Sequence, residues 1–132
     1  MEWAPNTTPG EAHWYAIDEV KGKRFMLVHG DQWKGSLGYP WYGTGKRIQG
    51  WATLFDRVLG QTMPDYLLYG HWHTPNRVYI NGITAWCSPS TESYNTYAIE
   101  SLGAAGEPGQ WLYFCSPDGI SAEYLVDLSG KR

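Results

Sequence analysis

Two short apolar runs, each closed by a histidine beside a glycine, constrain this chain more than any other feature. The first is Phe25-Met26-Leu27-Val28, ending at His29-Gly30-Asp31. The second is Tyr66-Leu67-Leu68-Tyr69, ending at Gly70-His71-Trp72-His73. A short continuous apolar run is typical of a strand buried on both faces. Between the two runs the period changes. Ile48, Trp51, Ala52, Phe55, Val58 and Leu59 fall on one helical face, which predicts a helix over about 47–59, weakened by Gly50 and stopped by Gly60.

The flanks read as strands and turns. Trp14 to Ile17 suggest a strand that ends in a charged turn over 18–24. Arg77 to Ile80 and Ile83 to Cys87 flank Asn81-Gly82, a strong hairpin signal, and a second hairpin is expected around Pro117-Asp118-Gly119. Residues 1–11 read as an irregular lead-in, 32–46 as a long loop, and 88–110 as loop-like with a short helical turn around 97–102. With 8 Trp, 10 Tyr and 16 Gly, the composition suits a β-rich domain better than a helix bundle.

Composition also excludes classes. The 132 residues fit one domain, and 42% hydrophobic against 17% charged residues excludes intrinsic disorder. No apolar run is long enough for a membrane span, and the first residues lack the basic-then-apolar pattern of a secretory signal. A net charge of -3 excludes a generally basic nucleic-acid coat but leaves room for a local basic patch. Cys87 and Cys115 are expected to be reduced thiols, and Asn6-Thr7-Thr8 fits a glycosylation sequon that means little without a secretory signal.

His29, His71 and His73 carry the chemistry. Imidazole is the commonest protein ligand for transition metals, and strand ends are where α/β folds place their sites. A lone histidine there is usually a surface residue; the repeated layout of apolar strand and glycine-flanked histidine favours a metal site. Gly30 and Gly70 would both allow the sharp turns that aim the rings. Trp33, Tyr39, Trp41 and Tyr42, interleaved with Lys34, Lys46 and Arg47, can stack bases and contact phosphates, or fold back as a small local core. Trp86, Trp111 and Tyr113 read as core or sheet-face residues. Ser88, Ser90 and Thr91 line a cleft or face solvent.

On these residues the chain resembles the calcineurin-like metallophosphoesterases. Phe25 to Asp31 is similar to the family's fourth metal motif, a strand ending in His-Gly. Tyr66 to His73 is similar to its last, Gly-His-x-His after a strand. The likeness runs from about residue 12 to 128, and phage-encoded members related to the DNA-repair exonuclease branch are the nearest in flavour. The resemblance implies an α/β fold, β-rich with one main helix: the C-terminal half of a four-layer α/β/β/α sandwich over 12–132. It implies a divalent metal, Mn or Zn, with Fe or Mg as further options. His29 and His71 would bind one ion of a pair and His73 the other, with Asp31 orienting a ligand and Lys34, Arg47 and Ser88 as candidates for the substrate cleft.

The family's Asp-x-His, Gly-Asp-x-x-Asp and Gly-Asn-His motifs do not occur here. No catalytic residue is therefore assignable, and this chain alone is expected to be inactive. Completed by a chain supplying the N-terminal half, it would hydrolyse phosphodiesters, nucleic acid foremost. A non-catalytic remnant serving as a binding or assembly module is one alternative, and a mononuclear three-histidine hydrolase is another. A homodimer or hetero-complex is expected, at no membrane, in the cytoplasm of a bacterial or phage-infected cell.

Overall fold

The computed structural model describes residues 2–4, 13–34, 41–80, 82–92 and 107–130. In chain order the elements are β1 (Glu2–Trp3), β2 (Ala16–Val20), β3 (Lys23–Val28), α1 (Trp41–Arg57), β4 (Tyr66–Tyr69), β5 (Asn76–Ile80), β6 (Ile83–Cys87), β7 (Gly109–Ser116) and β8 (Gly119–Asp127). The first six strands form one sheet in the order β1-β2-β3-β4-β6-β5, and β7 and β8 form a second. β3, β4 and β6 run parallel at the centre of the first sheet, with antiparallel strands outside them.

The α/β class, strand-rich with one helix, follows the sequence expectation, while several boundaries move. Glu2 and Trp3 are not irregular but pair with Ile17 and Ala16, so they belong to the main sheet. The charged segment 18–24 is mostly strand. Only Lys21 and Gly22 turn, with φ of 53° and 79°, the two left-handed residues that a tight hairpin needs. The expected helical turn around 97–102 lies outside the described residues.

The largest shift concerns α1, which begins six residues before the expected start at 47. Gly43 and Gly45 looked like loop residues, yet here they permit close packing of the first helical turns. A Cβ on Gly43 would collide with the Lys34 carbonyl and lie 2.9 Å from Trp33 Cδ1, and one on Gly45 would lie 3.0 Å from Ile80 Cδ1. Between them Thr44 is fully buried. Helix propensity lost at glycine, about 1 kcal/mol each, is offset by this contact. Beyond it, Ile48, Trp51 and Phe55 are buried with Ile17, Met26, Leu67, Tyr69, Ala85 and Cys87, the apolar face of the sheet. Val58, assigned to the same helical face by period, lies past the helix end and is 70% exposed.

The β7–β8 hairpin covers the other face of the sheet. Its contacts are aromatic rings whose polar atoms are satisfied. Trp86 packs on Tyr66 and Tyr113 with ring centres 5.5 and 4.9 Å apart. The Trp86 indole donates to Glu123 (3.0 Å), the Trp111 indole to the Cys87 carbonyl (2.8 Å), and the Ile120 N–H to the Tyr66 hydroxyl (2.9 Å). The described residues thus form three layers: helix, sheet and two-stranded sheet. β3 and β4 are buried on the helix side at Met26, Leu67 and Tyr69 and half-buried on the hairpin side, where Leu27 and Leu68 border a cavity with Tyr113 and Cys115. Exposed apolar residues among those described gather on the outer face of the hairpin, at Leu112, Phe114, Tyr124 and Val126. Cys87 and Cys115 are both free thiols, as expected.

Candidate metal centre and adjoining basic cavity

Parallel pairing sets the site. Val28 lies opposite Tyr69, so His29 and Gly70-His71 leave the sheet side by side at the carboxyl ends of adjacent strands. The Gly70 N–H donates to the His29 carbonyl at 2.9 Å and holds the two strand ends together. Gly30 has φ of 106°, and a Cβ there would lie 2.8 Å from the Gly70 carbonyl oxygen. Gly70 differs from the expectation that both glycines are needed for sharp turns. Its φ is not left-handed, and a Cβ on it would meet only the His29 carbonyl, at 3.7 Å. The left-handed residues on that side are the histidines themselves, His71 at 69° and His73 at 57°. Such conformations cost about 1–3 kcal/mol each and persist only where surrounding bonds enforce them.

Two buried residues supply that enforcement, and sequence reasoning had given neither a role at the site. Trp72 is buried between the strand ends. Its N–H donates to the Gly70 carbonyl (2.8 Å) and its indole to the Gly30 carbonyl (3.1 Å). Cys87, at the end of β6, donates its thiol to the same Gly70 carbonyl at 3.7 Å. Burial pushes its thiol up to about 12, so it stays neutral. The signal for Trp72 was its place between two histidines; nothing local in the sequence marked Cys87.

The His29 and His71 rings meet edge to face with centroids 5.1 Å apart. Two imidazoles on one tetrahedral ion, at metal–nitrogen lengths of about 2.0–2.1 Å, have ring centres roughly 5 Å apart. The spacing of the pair is compatible with two ligands of a single divalent ion. Burial, then the neighbouring His29, holds the His71 pKa below the usual histidine range; Asp31 opposes this and His73 adds to it. The effect favours neutral imidazole, the form that binds metal.

His73 is close enough for its charge to act on His71, and so is Asp31. Among the described residues, however, no three His, Cys, Asp or Glu side chains are grouped to hold one ion. His13, which sequence reasoning left without a role, lines a cavity of about 470 Å³ with His29, Asp31 and Gln32. It sits ahead of the first predicted strand, where no motif singled it out.

A second cavity of about 640 Å³ is lined by Lys34, Lys46 and Arg47 together with Trp33, Tyr42 and Trp51. The two readings of the aromatic segment both apply, to different residues. Trp33 is core, with ring centres 5.7 Å from Trp51 and 5.0 Å from Tyr69. Tyr42 is 86% exposed. Tyr39 and the Trp41 side chain lie outside the described residues. Ser88 does not line this cavity. It follows β6, where its N–H donates to the Tyr69 carbonyl at 2.7 Å, on the same sheet edge as His71.

No protein-family model matches the sequence, and no curated protein matches it. Solved structures do. Vps29 from Entamoeba histolytica complexed with Zn²⁺ matches with a TM-score of 0.58 at 15% identity, covering 86% of this chain and 60% of its own. A single mutant of the same protein matches at 0.59 and 13% identity, covering 94% of this chain and 66% of its own. The chain thus spans less than two thirds of the structures it matches, and at these identities the likeness is one of fold. What this chain shares with them is the calcineurin-like metallophosphoesterase fold, over part of that fold's length.

Proposed function

We propose that this chain supplies part of a metal-dependent phosphoesterase centre that acts on phosphodiesters, nucleic acid foremost. The observation that carries the reading is the His29–His71 pair, set at the ends of adjacent parallel strands with their rings in contact, 5.1 Å between centroids. The E. histolytica Vps29 neighbour was solved with Zn²⁺, which supports a divalent ion at such a fold. In the complete family site, two ions activate a water and stabilise charge on the phosphoryl oxygens. His29 and His71 would hold one ion. This chain's own contribution is to fix those rings: Trp72 and Cys87 hold the loop through the Gly30 and Gly70 carbonyls, and the lowered His71 pKa favours the neutral ring. His73 and His13 are the candidates for further ligands, and Asp31 is the nearby anion.

Titration with Mn²⁺ and Zn²⁺ tests the reading. Binding should be lost in His29→Ala and in His71→Ala, and an aryl phosphodiester should turn over negligibly until an N-terminal half is added. Absence of binding in the native chain would favour the non-catalytic module. Robust turnover by the chain alone, abolished by His71→Ala, would favour a mononuclear hydrolase.

The partner reading rests on the outer face of the hairpin. Leu112 pairs with Tyr124 and Gln110 with Val126, so the exposed side chains form one continuous patch. With Phe114 and Leu128 it comes to roughly 400–600 Å², at the upper end of what monomers tolerate. A second copy stacked on it would bury roughly 1,000 Å², the lower bound of a specific interface. Sedimentation should show self-association that Phe114→Lys abolishes; a monomer at all concentrations would refute it.

A further inference from the structure

The cavity at the start of α1 gathers groups that composition does not explain. The chain carries a net charge of -3, yet Lys34, Lys46 and Arg47 share one cavity that no acidic side chain among the described residues lines. Two ion pairs between described residues, Arg24–Glu2 and Arg77–Glu123, involve none of these three cations. The helix arranges the rest. Tyr42 and Lys46 are one turn apart on the same face, and Arg47 and Trp51 follow in the same way. Gly50 leaves the wall open, since a Cβ there would meet nothing within 4 Å. Tyr42, at 86% exposure, holds an uncovered ring at the rim.

Cations contact phosphates irrespective of sequence, and an exposed ring stacks on the face of an unpaired base. We infer that this cavity binds single-stranded nucleic acid, with backbone phosphates on Lys34, Lys46 and Arg47 and a base on Tyr42. The connection is short. Trp33 follows His29 by four residues, so the cavity wall and the histidine pair are tethered within about 14 Å of extended chain. This deepens the reading above by naming the surface that holds the strand, and it rests on that reading for the choice of nucleic acid among polyanions.

The test is anisotropy of a dye-labelled oligothymidylate with the full chain in EDTA, where hydrolysis plays no part. Binding should weaken with salt at a log–log slope of about -2, for three phosphate contacts on a single strand. The triple variant Lys34→Gln, Lys46→Gln, Arg47→Gln should lose at least about ten-fold and flatten the slope. Tyr42→Ala should lose about five-fold or more. Arg57→Gln, a cation at the other end of the helix, should change affinity less than about two-fold. Thermal melts confirm that these surface variants fold. Unchanged binding by the triple variant, no binding at low salt, or a silent Tyr42→Ala with equal competition by heparin would each overturn the inference. Binding that behaves as expected in EDTA, with no hydrolysis by the completed assembly, would leave it standing and overturn the phosphoesterase reading.

Discussion

Gly30→Ala and Gly70→Ala, the same chemical change on adjacent strand ends, should have very different costs. At Gly30 the backbone has φ of 106°, and the new Cβ would sit 2.8 Å from the Gly70 carbonyl oxygen and 3.1 Å from Tyr69 Cδ2. The strained backbone alone costs about 1–3 kcal/mol for a residue with a Cβ. The clash is with backbone, which cannot swing aside as a side chain would. Relieving it means prising apart the Gly70–His29 hydrogen bond, a further 1 kcal/mol or so. The total is about 3 kcal/mol, which for a domain of this size lowers the melting temperature by about 10 °C. At Gly70 there is no left-handed φ, and the new Cβ makes one ordinary contact at 3.7 Å. Its cost should stay below about 0.5 kcal/mol, the usual range for substitutions away from special features. Calorimetry or urea unfolding of the two variants decides the matter. Metal titration adds a second readout, because Gly30→Ala should also separate His29 from His71. Equal losses in the two variants, or a Gly30→Ala melt within 2 °C of the parent, would refute the reasoning.

Three further outcomes follow from the packing. Cys87, pushed up to about 12 by burial, should resist iodoacetamide at pH 8 in the folded chain and react on unfolding; rapid native labelling would show the loop over it to be open. Phe55→Ala should cost about 3–5 kcal/mol, while Val58→Ala should cost less than about 0.5 kcal/mol, because only Phe55 is buried; denaturant midpoints measure both. Glu123→Ala strands the Trp86 indole N–H and should cost about 1–3 kcal/mol, whereas Arg77→Ala removes a half-exposed ion pair worth less than about 1 kcal/mol. Comparable losses in those two variants would contradict the assignment.

The strands were legible because their signals are local. Two apolar runs read as buried strands, and Asn81-Gly82 and Pro117-Asp118-Gly119 marked hairpins, since each pattern needs only a few neighbouring residues. The start of α1 was not legible. Glycine reads as loop wherever its tertiary contacts are unknown, and Gly43 and Gly45 are explained only by Trp33, Lys34 and Ile80, all remote in sequence. The site divides the same way. His29 and His71 were visible as strand ends, and the fold sets them in ring contact. The parts of Trp72 and Cys87 depend on a loop crossing the end of a third strand, which no spacing encodes.

One chain of hydroxyls has a consequence for how α1 sits lengthwise. The Thr44 hydroxyl donates to Tyr69 OH at 3.3 Å, and Tyr69 OH donates to Asn76 Oδ1 at 3.1 Å, so a helix, a central strand and an edge strand share one line of polar bonds inside an apolar interface. Apolar packing is less directional than a hydrogen bond, so it sets the lengthwise offset of α1 less sharply. The hydroxyl line permits one offset. A shift of even part of a 5.4 Å turn would leave a buried hydroxyl without its partner, at about 1–3 kcal/mol. Tyr69 thus acts as an index pin, and Tyr69→Phe, which removes both bonds, would cost about 1–3 kcal/mol and free the helix to occupy several offsets. The first reporter of that slippage would be Lys46 and Arg47, carried out of line with Lys34 on the far wall of the cavity.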